Sequence, residues 1–174
     1  MTACRDGPDE ISLIQIRTAD PAEIDRLARL WHDVWHETHA PLVPVALVRL
    51  RPLAAFRDRL HTALPDVFVA GPVGAPAGFY VLKGDELCHL FVSPATRGLG
   101  LATTMVADAE ARLAARGVAT AWLICMIGNH RAARFYERCG WRLTGTVSHP
   151  AETSAGPFPL EQWRYEKALT SLAR

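Results

Sequence analysis

LFVSPATRGLGLA, residues 90–102, decides how this chain folds. Leu90, Phe91 and Val92 read as the end of a strand, Pro94 lies just beyond it, and Gly98 and Gly100 punctuate the approach to a helix. A helix entered from such a turn leaves its first N–H groups free and adds the positive end of its dipole, about half an elementary charge, at the same point. That is a seat for an anion, and a pyrophosphate suits it. Gly98 and Gly100 let an oxygen approach the backbone with no Cβ in the way, Ala102 keeps the helix close to the sheet, and Arg97 can add charge-assisted hydrogen bonds. The amides of Gly98, Leu99, Gly100, Leu101, Ala102 and Thr103 form the expected cradle. A plain strand-to-helix turn matches the same short string, so the motif needs support from elsewhere.

Support lies about thirty residues further on, in NHRAARFYERCGW, residues 129–141. This reads as a helix with an amide side chain at its start. At 100° per residue Asn129 and Tyr136 fall within about 20° of one another, while Ala132, Phe135 and Cys139 make an adjacent apolar sector. Arg131, Arg134 and Arg138 fall on the far side, as a solvated face would. Other phosphate loops fit less well. A dinucleotide fingerprint needs glycine where Thr103 stands and an acid about twenty positions later, and residues 119–127 hold none. A nucleoside triphosphate loop needs Gly-Lys-Ser/Thr, which is missing.

The remaining chain frames these two segments. Residues 11–16 alternate as a first strand, Asp20-Pro21 starts a helix running to about residue 37, and a second helix is expected over residues 46–63, its leucines inward and its arginines on other faces. From residue 66 the period becomes that of strands, VFVAG, AGFYVLKG and ELCHLFV, in an antiparallel meander. A long helix over about residues 100–116 ends at Gly117, ATAWLICMI reads as a strand buried on both faces, and WRLTGTVS with PLEQWRYEKAL reads as a closing hairpin. Residues 1–10 are read as a flexible N-terminus and residues 11–170 as one domain; at 174 residues the chain suits one core.

Composition narrows the field. Net charge is +1 with lysine only at Lys83 and Lys167, which carries no footprint for nucleic acid. The cysteines Cys4, Cys88, Cys125 and Cys139 show neither zinc-site spacing nor disulfide density, as expected of reduced thiols in the cytoplasm. The longest apolar run, AWLICMI, is far below the roughly 18 to 20 residues of a membrane span. His32 and His36 are one helical turn apart and His39 follows, but without a cysteine or a placed third ligand we read a polar helix end and expect no metal.

With both segments in place, the chain resembles the GNAT superfamily of acyl-CoA-dependent N-acyltransferases. The family pattern [Q/R]-x-x-G-x-[G/A] falls on Arg97, Gly100 and Ala102, and N-x-x-A-x-x-[FY]-[YF]-x-x-x-G-[FW] falls on Asn129, Ala132, Phe135, Tyr136, Gly140 and Trp141. The resemblance implies an α/β domain of α+β type: a central mixed, mostly antiparallel sheet of six or seven strands flanked by about four helices. It implies acetyl transfer from acetyl-CoA to a small-molecule or peptide amine by direct attack, with Tyr136 as general acid and Asn129 on the cofactor arm. Tyrosine, with a pKa near 10, stays protonated at neutral pH and can donate to a leaving thiolate. The resemblance also implies a bulged strand whose Leu90, Phe91 and Val92 offer backbone groups to the arm.

Some relatives carry a glutamate five residues before the asparagine; here that position is Ile124. Glu86 and His89 are the candidate bases, acting through water. The loop after the first helix is the candidate specificity region, with Trp31, Trp35 and His36 as acceptor-site residues. A homodimer through the C-terminal strands is compatible with this reading. A silent acyl-CoA sensor on the same scaffold and a nucleotide-dependent oxidoreductase are the alternatives.

Overall fold

A capping box starts the first helix. Asp20 Oδ1 accepts from the Ala22 N–H at 2.8 Å, Glu23 Oε1 accepts from the Asp20 N–H at 3.0 Å, and Pro21 occupies the first position. From this start α1 (Ile24–Thr38) buries Ile24, Leu27, Ala28, Trp31, Val34 and Trp35 on one stripe. The computed structural model describes residues 14–169. The first half of the first expected strand, residues 11–13, lies outside them; the strand observed, β1 (Ile16–Thr18), comes slightly later.

The expected continuous second helix is two helices, α2 (Val45–Arg49) and α3 (Leu53–Ala63). Pro52 is the cause. It has no N–H to continue the ladder, and its ring pushes Arg51 out of the helical region. The break turns Arg51 inward, to 3% exposure, where uninterrupted periodicity would have left it outside.

β2 (Val67–Ala70), β3 (Gly78–Lys83) and β4 (Glu86–Val92) form the expected antiparallel meander. α4 (Leu101–Ala115) then crosses to β5 (Thr120–Met126), α5 (His130–Arg138) follows, and β6 (Arg142–Ser148) pairs with β7 (Glu161–Ala168). The sheet is mixed and seven-stranded, in the order β1-β2-β3-β4-β5-β7-β6, with β4 and β5 as its parallel pair. The last strand therefore inserts between β5 and β6. β5 is buried on both faces only at its last two residues, Cys125 and Met126.

Two apolar layers sandwich the sheet. Phe68, Tyr80, Leu87 and Leu123 pack with Met105, Val106 and Leu113 of α4; Val67, Phe79, Val81 and Phe91 pack with Trp31 of α1 and Phe56 and Leu60 of α3. Gly78 sets the distance of α4 from the sheet. A Cβ there would lie 2.8 Å from the Phe91 carbonyl oxygen and 3.0 Å from Met105 Sδ. The far end is pinned by Glu110, which accepts from Trp141 Nε1 at 2.9 Å and from Lys167 Nζ at 2.7 Å.

Candidate active site

β4 and β5 meet at one point. Glu86 pairs with Trp122, the Trp122 N–H donates to the Asp85 carbonyl at 3.2 Å, and beyond this contact the strands part. A bulge in β4 accompanies the parting: Leu82 faces Leu87 while Val81 faces His89, so Cys88 is the extra residue. The bulge places Cys88 and His89 on the same side, toward α1 and α3.

The register also shows which backbone groups the gap receives. The Ser93 N–H donates to the Ala77 carbonyl, which makes Phe79 and Phe91 the pair that exchanges ladder bonds. The N–H and C=O groups of Leu90 and Val92 thus face the gap. Those of Phe91 are spent on β3, a correction to the expectation that all three serve; Phe91 contributes its ring instead.

A cleft of about 930 Å³ runs through the gap. On one side stands the head of α4. Gly98 and Gly100 have φ of +77° and +84°, which only glycine adopts without strain, and a Cβ at either would meet no protein atom. Among the described residues no amide from residue 98 to residue 103 has a hydrogen-bond partner; the first helical bond runs from the Thr104 N–H to the Gly100 carbonyl. Gly98, Gly100, Leu101, Ala102 and Thr103 line the cleft, while the Leu99 side chain points outward at 55% exposure. Arg97 borders the cleft too, with its guanidinium forked on Glu37 at 2.6 and 2.9 Å.

α5 forms the facing wall. Asn129 Oδ1 caps the helix by accepting from the Ala132 N–H at 3.2 Å, which leaves its amide nitrogen for the cleft. Ala132, Phe135 and Tyr136 line the wall beyond it. Burial, reinforced by the Cys125 and Cys139 thiols, pushes the Tyr136 phenol above its ordinary value and keeps it protonated. Arg131 and Arg138 are exposed as expected, yet both border the cleft.

The other half of the cleft gathers side chains. Glu86 is buried and burial raises its carboxyl above the usual range. His89 Nε2 accepts from Arg59 Nη2 at 3.1 Å, and its pKa falls well below normal through burial and the nearby Arg59 charge, so the ring is neutral. Trp31 and Trp35 reach the cleft from the core, at 2% and 7% exposure; Trp31 packs on Phe56, Phe79, His89 and Phe91. His36 does not line the cleft. Its Nε2–H donates to the Arg51 carbonyl at 2.9 Å, a tie from α1 to the break between α2 and α3. His32 turns to Asp33, and His39, neutral with a pKa near 4 through burial, stacks on Trp35.

Sequence reading missed Arg51, Arg59, His149 and Glu152, which line this half. The one usable signal was Pro52, whose break in the helix marks where Arg51 leaves the solvent face.

The chain matches the Acetyltransferase (GNAT) family model over residues 29–141, and it belongs to that family. It is 26% identical over 155 residues to peptidyl-lysine N-acetyltransferase YjaB of Salmonella typhimurium, covering 85% of this chain and 95% of that protein. Among solved structures, a GCN5-related N-acetyltransferase from Rhodopseudomonas palustris superposes with a TM-score of 0.72 at 22% identity, over 94% of this chain and 100% of that one. PaiA N-acetyltransferase from Thermoplasma acidophilum, solved in complex with coenzyme A, gives 0.69 at 17% identity over 89% and 98%. None of the described helices is long and apolar enough to cross a membrane.

Proposed function

We propose that this protein is an N-acetyltransferase that moves the acetyl group of acetyl-CoA to an amine in a ternary complex. The run of unpartnered amides at residues 98–103, opening on a gap between parted strands, carries the reading. Such a run fits a pyrophosphate in charge, in donor number and in freedom from Cβ atoms. The backbone edge of Leu90 and Val92 and the Asn129 amide suit the amide-bearing arm that follows it.

Acetyl-CoA, when bound, supplies a thioester carbonyl to which an amine adds, forming a C–N bond as the C–S bond breaks. Tyr136 holds the proton that the leaving sulfur takes up. Glu86 is the stronger candidate for accepting the amine's proton, through water, because its carboxyl borders the cleft and is less acidic than usual. His89 is the weaker candidate, since its lone pair already accepts from Arg59. The β4 edge gives the thioester oxygen N–H donors where charge develops.

Calorimetry and thermal shift test the reading together. Acetyl-CoA at a hundred times its Kd stabilises the fold by about 2.7 kcal/mol, and NAD leaves it unchanged. No heat and no shift with acetyl-CoA removes the assignment. Binding without thiol release from any amine leaves the sensor alternative in its place.

A further inference from the structure

We infer that the acceptor is an amine that also carries a carboxylate, an amino acid, held by Arg51 and Arg59. The inference rests on the acyltransferase reading and concerns the acceptor half of the same cleft. Arg51 is 3% exposed, its Nη1 donates to the Glu152 carbonyl at 2.6 Å, and its Nε is buried with no hydrogen-bond partner. Arg59 lies 4.5 Å over the Trp31 ring and spends one N–H on His89. Among the described residues neither guanidinium has a carboxylate within ion-pair distance.

Charges taken out of water this way are costly unless an anion meets them. Burial lowers the pKa of both, Arg59 to about 10 with Arg51's charge contributing, so both stay cationic at neutral pH. Glu152, exposed on the loop between β6 and β7, attracts both from beyond ion-pair range. His89 and His39 are neutral and add no competing charge. A carboxylate presents two oxygens in the plane that a guanidinium fork matches.

Glu86 lies on the same cleft. A ligand that offers an amine to Glu86 and an anion to the arginines is a zwitterion of the amino-acid class. Arg51's bond to Glu152 joins the break before α3 to the loop before β7, so this loop helps to close the arginine end.

Free-thiol release measures kcat/KM on the wild-type protein for the standard α-amino acids, β-alanine and γ-aminobutyrate, each beside its carboxamide. The expected result is at least one acid preferred over its carboxamide by about 10²-fold or more, because the amide leaves buried charges unmet. Arg59→Gln then raises KM for that acid and reduces the preference to below tenfold, Arg59→Lys restores part of it, and the Kd for acetyl-CoA does not move. Four results overturn the inference while the acyltransferase reading stands: carboxamides equal to acids, phosphoethanolamine preferred over every acid, an internal peptide lysine with neutral flanks preferred over every acid, or no acid acetylated although other amines are. Failure of acetyl-CoA to bind would remove the acyltransferase reading as well.

Discussion

The two halves of the cleft are built from different material. The half proposed for the cofactor is mostly backbone: a run of amides from one continuous turn, the open edge of β4 and an asparagine at a helix start. The half proposed for the acceptor is mostly side chain, drawn from α1, the break before α3, α3 itself, β4 and the loop before β7. A site made of amides is specified by glycines within a few residues and tolerates changes elsewhere. A site made of side chains depends on how distant segments pack, and one proline that ends a helix can create or remove it.

The largest effect is expected at Tyr136, on the α5 wall of the cleft. Tyr136→Phe lowers kcat by about 10²- to 10⁴-fold, the span of general acid catalysis, with the Kd for acetyl-CoA within twofold by calorimetry. An unchanged kcat would remove Tyr136 from the chemistry.

Gly100→Val attacks the backbone half alone. A branched residue at φ +84° costs about 1–3 kcal/mol of strain and so disturbs the turn that presents the amides. Acetyl-CoA affinity is expected to fall at least about tenfold, the equivalent of 1.4 kcal/mol. Pre-steady-state capture of the amine should change far less.

Glu86→Gln attacks the side-chain half, and pH gives its signature. The Glu86 carboxyl is raised in the folded protein, so kcat/KM should rise with pH through a midpoint above the ordinary carboxylate range, and the variant should lack that limb. The sign for stability is opposite. A raised folded pKa means no penalty at pH below the unfolded value and a full penalty above the folded one, so the fold loses stability as pH rises between them. Glu86→Gln should therefore melt a few degrees higher than wild type at pH 8 while turning over more slowly.

The smallest effect belongs to the bridge between the halves. Arg97 is forked on Glu37 and must leave it to reach a phosphate. Glu37→Gln is expected to tighten acetyl-CoA binding only a few-fold, and less as salt rises, because the pair is exposed and screened. A loss of affinity would show that Glu37 positions Arg97 rather than restraining it.

Much of the local structure in the half proposed for the cofactor was open to reading along the chain. Positive-φ glycines, helix starts and a seven-residue spacing such as Asn129 to Tyr136 are local features, and local features survive as sequence patterns. So did the meander of β2 to β4 and the stripe of α1, since period 2 and period 3.6 are written residue by residue. His36 was misjudged because its neighbours on the helix say nothing of the Arg51 carbonyl that meets it.

Glycines, amphipathic periods and capping residues thus determined most of the elements, their order and the glycine turn before α4, before any packing was considered. Packing settled the remainder: β7 between β6 and β5, the parting of β4 from β5 beyond Glu86, and the placing of a buried Arg51 and a half-buried Arg59 without a carboxylate partner among the described residues. The physical reason is range. A turn or a cap is decided by atoms a few residues apart, whereas strand order and the burial of a charge depend on segments up to about a hundred residues apart, such as Arg51 and Glu152, and their meeting leaves no mark in either segment alone.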